Sequence, residues 1–149
     1  MKDTQDNHSH RMYFRLPAKL TYSDALFGVV EAHCQELSHK RGLEKNFAFQ
    51  VLSGFQEACK NCIKHCHEEN EEQILEIDIW EEGEALHFQM QGEGAEFSFD
   101  EITEPSHSPL PDVLTVSCKG LYILHSCMTS VLYNRVDGVN RLRFSKSFQ

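Results

Sequence analysis

Glu57 and Asn61 stand four residues apart in the run Phe55-Gln56-Glu57-Ala58-Cys59-Lys60-Asn61-Cys62-Ile63-Lys64-His65. On a helix they share one face. A carboxylate beside a carboxamide suits a phosphate site. The amide oxygen can coordinate Mg²⁺, and the carboxylate can accept a proton from an attacking hydroxyl or hold a water. The same pair also reads as an ordinary solvated helix face, and the spacing alone leaves both readings open.

Three cysteines, Cys59, Cys62 and Cys66, fall in the same segment, with His65 and His67 nearby. Their spacing could begin a metal site. Structural zinc, however, usually takes paired ligands from a knuckle or turn, with a second pair elsewhere. The other cysteines, Cys34, Cys118 and Cys127, show no such pairing. Free cysteine is also a small buried hydrophobe, so core packing is the expectation, with metal or redox sensing as the alternative. The first residues, MKDTQDNHSHR, lack the apolar stretch of an export signal, so the thiols are expected to stay reduced.

These residues must be held by elements that the pattern outlines. Residues 1–11 read as a polar tail, and 12–149 as one domain. Met12–Leu16 is a short strand ended by Pro17. N-cap chemistry at Thr21, Ser23 and Asp24 opens a helix that Gly42 stops. A second helix runs from about Lys45 to Cys66 with an apolar stripe of Phe47, Val51, Phe55, Cys59, Cys62, Ile63 and Cys66. Each residue turns a helix by roughly 100°, so Glu57 and Asn61 lie opposite that stripe. Leu75, Ile77 and Ile79 alternate with polar residues, as do Leu86, Phe88 and Met90, which predicts a hairpin about Glu82-Gly83. Thr103–Cys118 is a long lid-like loop. A third helix follows over about Gly120–Thr129. A last hairpin turns at Asp137-Gly138. The order predicts an α+β two-layer sandwich, three helices on one face of a mostly antiparallel sheet.

Charge narrows the partners. The chain of 149 residues carries 23 acidic and 14 basic residues, a net charge of −9. Nucleic-acid binding needs a basic surface to displace counterions, so direct DNA or RNA contact is not expected. No apolar run approaches the roughly 20 residues of a membrane span. A cytoplasmic protein with small-molecule or protein partners is the expectation.

The run EACKNCIKH resembles the N-box of the anti-sigma-factor serine kinases, a branch of the GHKL (histidine kinase-like) ATPase superfamily. Its Glu, small residue, Asn and later His are matched by Glu57, Ala58, Asn61 and His65. Arg15-Leu16-Pro17-Ala18 resembles the family's opening strand and turn, and Gly120-Leu121-Tyr122-Ile123-Leu124 its glycine motif after the ATP lid. The resemblance spans about residues 12–146. It implies a GHKL ATPase-like fold that uses ATP and Mg²⁺. Glu57 would be the general base and Asn61 the Mg²⁺ ligand. His65, Gly92, Gly94, Lys119, Gly120 and Leu121 would complete the nucleotide site. It further implies a homodimer that sequesters a sigma factor and phosphorylates a serine of an anti-anti-sigma antagonist. A non-catalytic binding module of the same fold, a pseudokinase, is the alternative.

The chain departs from the family pattern at its glycine motifs. The family's Asp-x-Gly places a carboxylate against the adenine amino group. Here that position falls on Gly92, or on Met90 in the other register. A missing buried acceptor costs about 1–3 kcal/mol. Glu93 and Glu96 are the nearby acidic residues that could replace it. The second motif, Ser117-Cys118-Lys119-Gly120, keeps one glycine where phosphates approach bare backbone N–H groups, and Lys119 offers charge in compensation.

Overall fold

A computed structural model describes residues 11–66, 72–94 and 123–149, with the side chains of His65 and Cys66 outside that description. The expected lid, residues 1–10 of the expected 1–11 tail, and Glu96, Lys119, Gly120 and Leu121 also lie outside the described residues. The elements in order are β1 (Met12–Pro17), α1 (Leu20–Ala25), α2 (Phe27–Arg41), α3 (Phe47–Asn61), a π-helical turn (Cys62–Cys66), β2 (Ile74–Glu82), β3 (Ala85–Glu93), β4 (Ser130–Val136) and β5 (Val139–Ser147). Residues 123–127, before β4, are helical and are called α4.

The strands form one sheet in the order β1-β2-β3-β5-β4, and every neighbouring pair is antiparallel. Alternation assigns the faces. Leu75, Ile77 and Ile79 of β2, Leu86, Phe88 and Met90 of β3, and Leu142 and Phe144 of β5 are buried. Helices cover that side. Aromatic contacts join the layers: Phe27 meets Phe55 edge-on at 5.9 Å, Phe55 meets Phe88 at 5.7 Å, and Phe88 stacks on Phe144 at 4.8 Å. The α+β fold class expected from the pattern is therefore the one found.

The opposite face carries no helix among the described residues. There Trp80 stacks on His87, with the guanidinium groups of Arg11 and Arg143 at 5.3 and 5.4 Å from its ring. Arg11 also donates to Asp78 Oδ1 at 3.0 Å, partnering a carboxylate that is largely buried.

Two helices differ from expectation. The single helix expected up to Gly42 is broken at Leu26. The Ser23 hydroxyl donates to the Leu20 carbonyl at 2.9 Å, and the Leu26 N–H turns to the Ser23 carbonyl at 3.0 Å. Such local bonds compete with the regular ladder, and α2 starts afresh with Val30 N–H on the Leu26 carbonyl. Gly42 does stop it, at φ 62° and ψ 44°, with its N–H on the Ser38 carbonyl. The second helix ends as an α-helix at Asn61, and its last turn, Cys62–Cys66, widens to a π-helix.

The Asp137-Gly138 turn has both residues at positive φ, 53° and 76°. That is the backbone a two-residue hairpin requires, and it sets the β4–β5 register.

Candidate functional site at the end of helix α3

The α3 helix buries one broad face. The expected stripe of Phe47, Val51, Phe55, Cys59, Cys62 and Ile63 is in the core. Gly54 and Ala58, each seven residues after a member of that stripe, and Asn61 at its edge are also buried. The Glu57–Asn61 face is thus not an open solvated surface. Met128 and Cys127 stand over Gly54, about one turn before Glu57, where an added Cβ would lie 2.3 Å from Met128 Cε. Gly54 is what permits this close crossing. Lys146 Nζ donates to the Cys127 carbonyl at 2.8 Å, tying the end of α4 to β5.

Asn61 is 3% exposed. Its Nδ2 donates to the Glu57 main-chain carbonyl at 2.8 Å. This fixes the amide orientation and commits Nδ2 to the helix, so Oδ1 is the end that remains for a ligand. Glu57 is partly accessible, its side chain 19% exposed, and Lys60 Nζ stands 3.6 Å from its Oε1. A hard oxygen donor and a carboxylate together match what Mg²⁺ takes from protein. The π turn directly after Asn61 is of a kind that recurs at functional sites. It contacts β3.

That strand ends in Gly92-Glu93, the start of the first glycine motif. Parity along β3 separates its residues. Gly92 follows Phe88 and Met90 on the helix side. Gln91 and Glu93 point to the helix-free face, where they line a cleft of about 350 Å³ together with Arg15, Glu76, Val139 and the Gly92 backbone. Glu93 is therefore on the wrong side of the sheet to supply an acceptor beneath α3. Met90, the other register of the motif, is fully buried in the core, whereas Gly92 stands at the strand end.

Residues 16–146 match the sequence profile described as "Histidine kinase-like ATPase domain". The chain belongs to that family. In fold, the domain is similar to the catalytic domain of the histidine kinase ThkA, with a TM-score of 0.53 and 11% identity, covering 92% of this chain and 97% of that one. No curated protein matches its sequence.

Within this histidine kinase-like ATPase domain, Glu57 and Asn61 stand on the last turns of α3, and the π turn that follows them contacts β3. Gly94 follows directly after β3. Sequence reasoning passed over two further residues there. One is Gly54. The other is Asn140, 4% exposed on β5 and paired in register with Gly92. The alternation Asn140-Leu142-Phe144 was the available signal, since it places a polar side chain at an inward position.

The cysteines of α3 serve the core. Cys59 and Cys62 are 1% and 5% exposed among apolar neighbours, and burial pushes the Cys59 thiol well above its usual range. Burial, and then the charge of Glu31, push the Cys34 thiol up to about 12. Cys127 is half-buried, and its thiol is raised by burial despite the opposing charge of Lys146. No described helix is long and apolar enough to cross a membrane.

Proposed function

We propose that this domain is an Mg²⁺- and ATP-dependent serine-protein kinase acting as a cytoplasmic anti-sigma factor. The observation that carries the catalytic part is Asn61. Its amide is anchored to the helix, with a partly exposed carboxylate one turn earlier and a π turn in contact with β3 directly after it. Asn61 Oδ1 would hold the metal. Glu57 would take the proton from the antagonist's serine hydroxyl as that oxygen receives the terminal phosphoryl group of ATP and ADP leaves. His65, Lys119, Gly120 and Leu121 complete the nucleotide contacts by family resemblance.

The partners in this reading are a sigma factor and an anti-anti-sigma antagonist, bound by a homodimer. The edge strand β1, with Tyr13 53% exposed, is the contact we assign to that dimer. Calorimetric titration with Mg·ATP and Mg·ADP tests the nucleotide site. A reconstituted transcription assay tests the partner, since the domain should silence one sigma-directed promoter and spare the core enzyme. Light scattering that reports a monomer at micromolar concentration would count against the dimer.

A second reading is supported by the strand end itself. Neither Met90 nor Gly92 offers a carboxylate, and Glu93 faces the other way. A pseudokinase that regulates by protein contacts alone fits those residues. Absence of nucleotide binding at millimolar concentration, with sigma inhibition retained, selects it.

A further inference from the structure

Among the described residues β4 is the last strand of the sheet, with β5 on one side only. An edge strand presents a row of backbone N–H and C=O groups to any further strand. The two edges of this sheet differ. β1 is short and ends in Pro17, which has no N–H to give. β4 runs seven residues, Ser130–Val136, without proline. Its Leu132 and Val136 are the most exposed large aliphatic side chains among the described residues, at 63% and 57%. Leu132 pairs with Arg143 and Val136 with Val139, so both lie on the helix-free face. Arg135, between them in sequence, points to the other face and is exposed at the end of the strand. Charge is segregated as well. Residues 130–147, which span β4 and β5, hold four basic residues, Arg135, Arg141, Arg143 and Lys146, and one acidic residue, Asp137, in a chain of net charge −9.

We propose that β4 is a docking edge for a protein partner, which adds an extended acidic segment to it as a sixth strand of the sheet. Strand addition takes its affinity from main-chain hydrogen bonds and its specificity from alternate side chains. The added strand runs antiparallel, as every neighbouring pair in this sheet does, and antiparallel pairing is the more stable per residue. Direct cross-strand neighbours then read the segment. Apolar residues of the partner face Leu132 and Val136, and a carboxylate on the opposite face pairs with Arg135. Against positions 136 to 132 the segment therefore reads apolar, acidic, any, any, apolar. A second copy of this chain is a poor occupant. Two β4 strands would bring two basic hairpins together, and like charges across strands destabilise a pair. β1, the strand assigned to the homodimer, is at the other edge of the sheet, so the two contacts do not compete.

The test is fluorescence anisotropy of a labelled peptide, Val-Glu-Thr-Thr-Val-Thr-Thr, which faces positions 136 to 130 in antiparallel order. It is titrated with the full chain in the absence of nucleotide, so its outcome is independent of the kinase reading. Saturable binding is expected, with slowed hydrogen exchange of the β4 amides and no change in those of β1. Methylating alternate amide nitrogens of the peptide separates strand addition from plain apolar adhesion. The version methylated on the nitrogens that face β4 should lose binding, and the other version should keep it. Arg135→Glu should weaken the peptide about tenfold, and Lys in place of the peptide's Glu should recover that loss on the variant. Leu132→Thr should weaken it several-fold. Both positions are exposed, and thermal melts check that the fold is kept. Equal binding of the two methylated peptides would overturn the proposal, as would indifference to Arg135→Glu. Protection of the β4 amides that rises with protein concentration and needs no peptide would assign the edge to a second copy and overturn it too. So would the absence of binding at millimolar peptide.

Discussion

Asn61 donates through Nδ2 to the main-chain carbonyl of Glu57 at 2.8 Å, one helical turn back. The residue proposed to hold the metal is thus positioned by the backbone of the residue proposed to act as base. Asn61→Ala removes both the anchor and the oxygen and should abolish Mg²⁺-dependent nucleotide binding. Glu57→Ala leaves the main-chain carbonyl in place. It should spare binding and reduce phosphoryl transfer by about 10²–10⁴-fold, the usual contribution of a positioned base. Calorimetry and single-turnover phosphorylation separate the two effects. Equal loss of binding in both variants would count against the division of roles.

The crossing of α3 and the 124–128 segment should tolerate alanine at position 54 and reject anything larger. An added Cβ meets Met128 Cε at 2.3 Å and Cγ at 3.3 Å, while the Cys127 Cβ is an ordinary 3.6 Å away. The Met side chain is flexible and can turn aside. Replacing glycine inside a helix also gains about 1 kcal/mol. For Gly54→Ala these effects nearly offset, and the melting temperature should move little. Gly54→Leu forces apart two packed elements and should cost about 1–3 kcal/mol. Denaturant melts of both variants check this, and a Gly54→Leu protein as stable as the parent would refute the close contact.

Arginines 11 and 15 both pair with β2 carboxylates, but in different surroundings. Arg11 stands 3.0 Å from Asp78, whose side chain is 10% exposed, whereas Arg15 stands 3.7 Å from Glu76, which is 31% exposed. Exposed pairs contribute about 0–1 kcal/mol. Losing the partner of a largely buried carboxylate costs about 1–3 kcal/mol. Arg11→Ala should therefore destabilise clearly more than Arg15→Ala in urea melts. Arg11 also lies over Trp80, so Trp fluorescence should change in the first variant only.

The buried thiols set a limit at alkaline pH. Burial, and then the charge of Glu31, push the Cys34 thiol up to about 12 from its ordinary value of 9.0. A pKa raised in the folded state means that the folded protein binds more protons than the unfolded chain above pH 9. The contribution is therefore fully present below that pH and is lost as pH rises from 9 toward 12. Alkylation needs the thiolate, so at pH 8 Cys34 and Cys59 should react only after unfolding, with the half-buried Cys127 modified earlier. Peptide mass spectrometry after timed iodoacetamide treatment reads this directly. Rapid native modification of Cys59 would contradict its burial.

Much of this protein was legible in its sequence, for a local reason. Side-chain direction repeats every two residues in a strand and every 3.6 in a helix. The alternation at Leu75–Ile79 and Leu86–Met90, the stop at Gly42 and the turn at Asp137-Gly138 therefore marked the elements, and the Glu57–Asn61 spacing placed both groups on one helix face. Tertiary structure decided what covers that face and what stands opposite it. The break at Leu26 came from hydrogen bonds that Ser23 makes in place of the ladder. Met128 and Cys127 pack against α3 where the missing Cβ of Gly54 leaves room. Asn140 came beside Gly92 only through the β3–β5 register, which joins residues 48 positions apart in the chain. Periodicity reports which way a side chain points, whereas its neighbours across the sheet depend on strand pairing between distant segments.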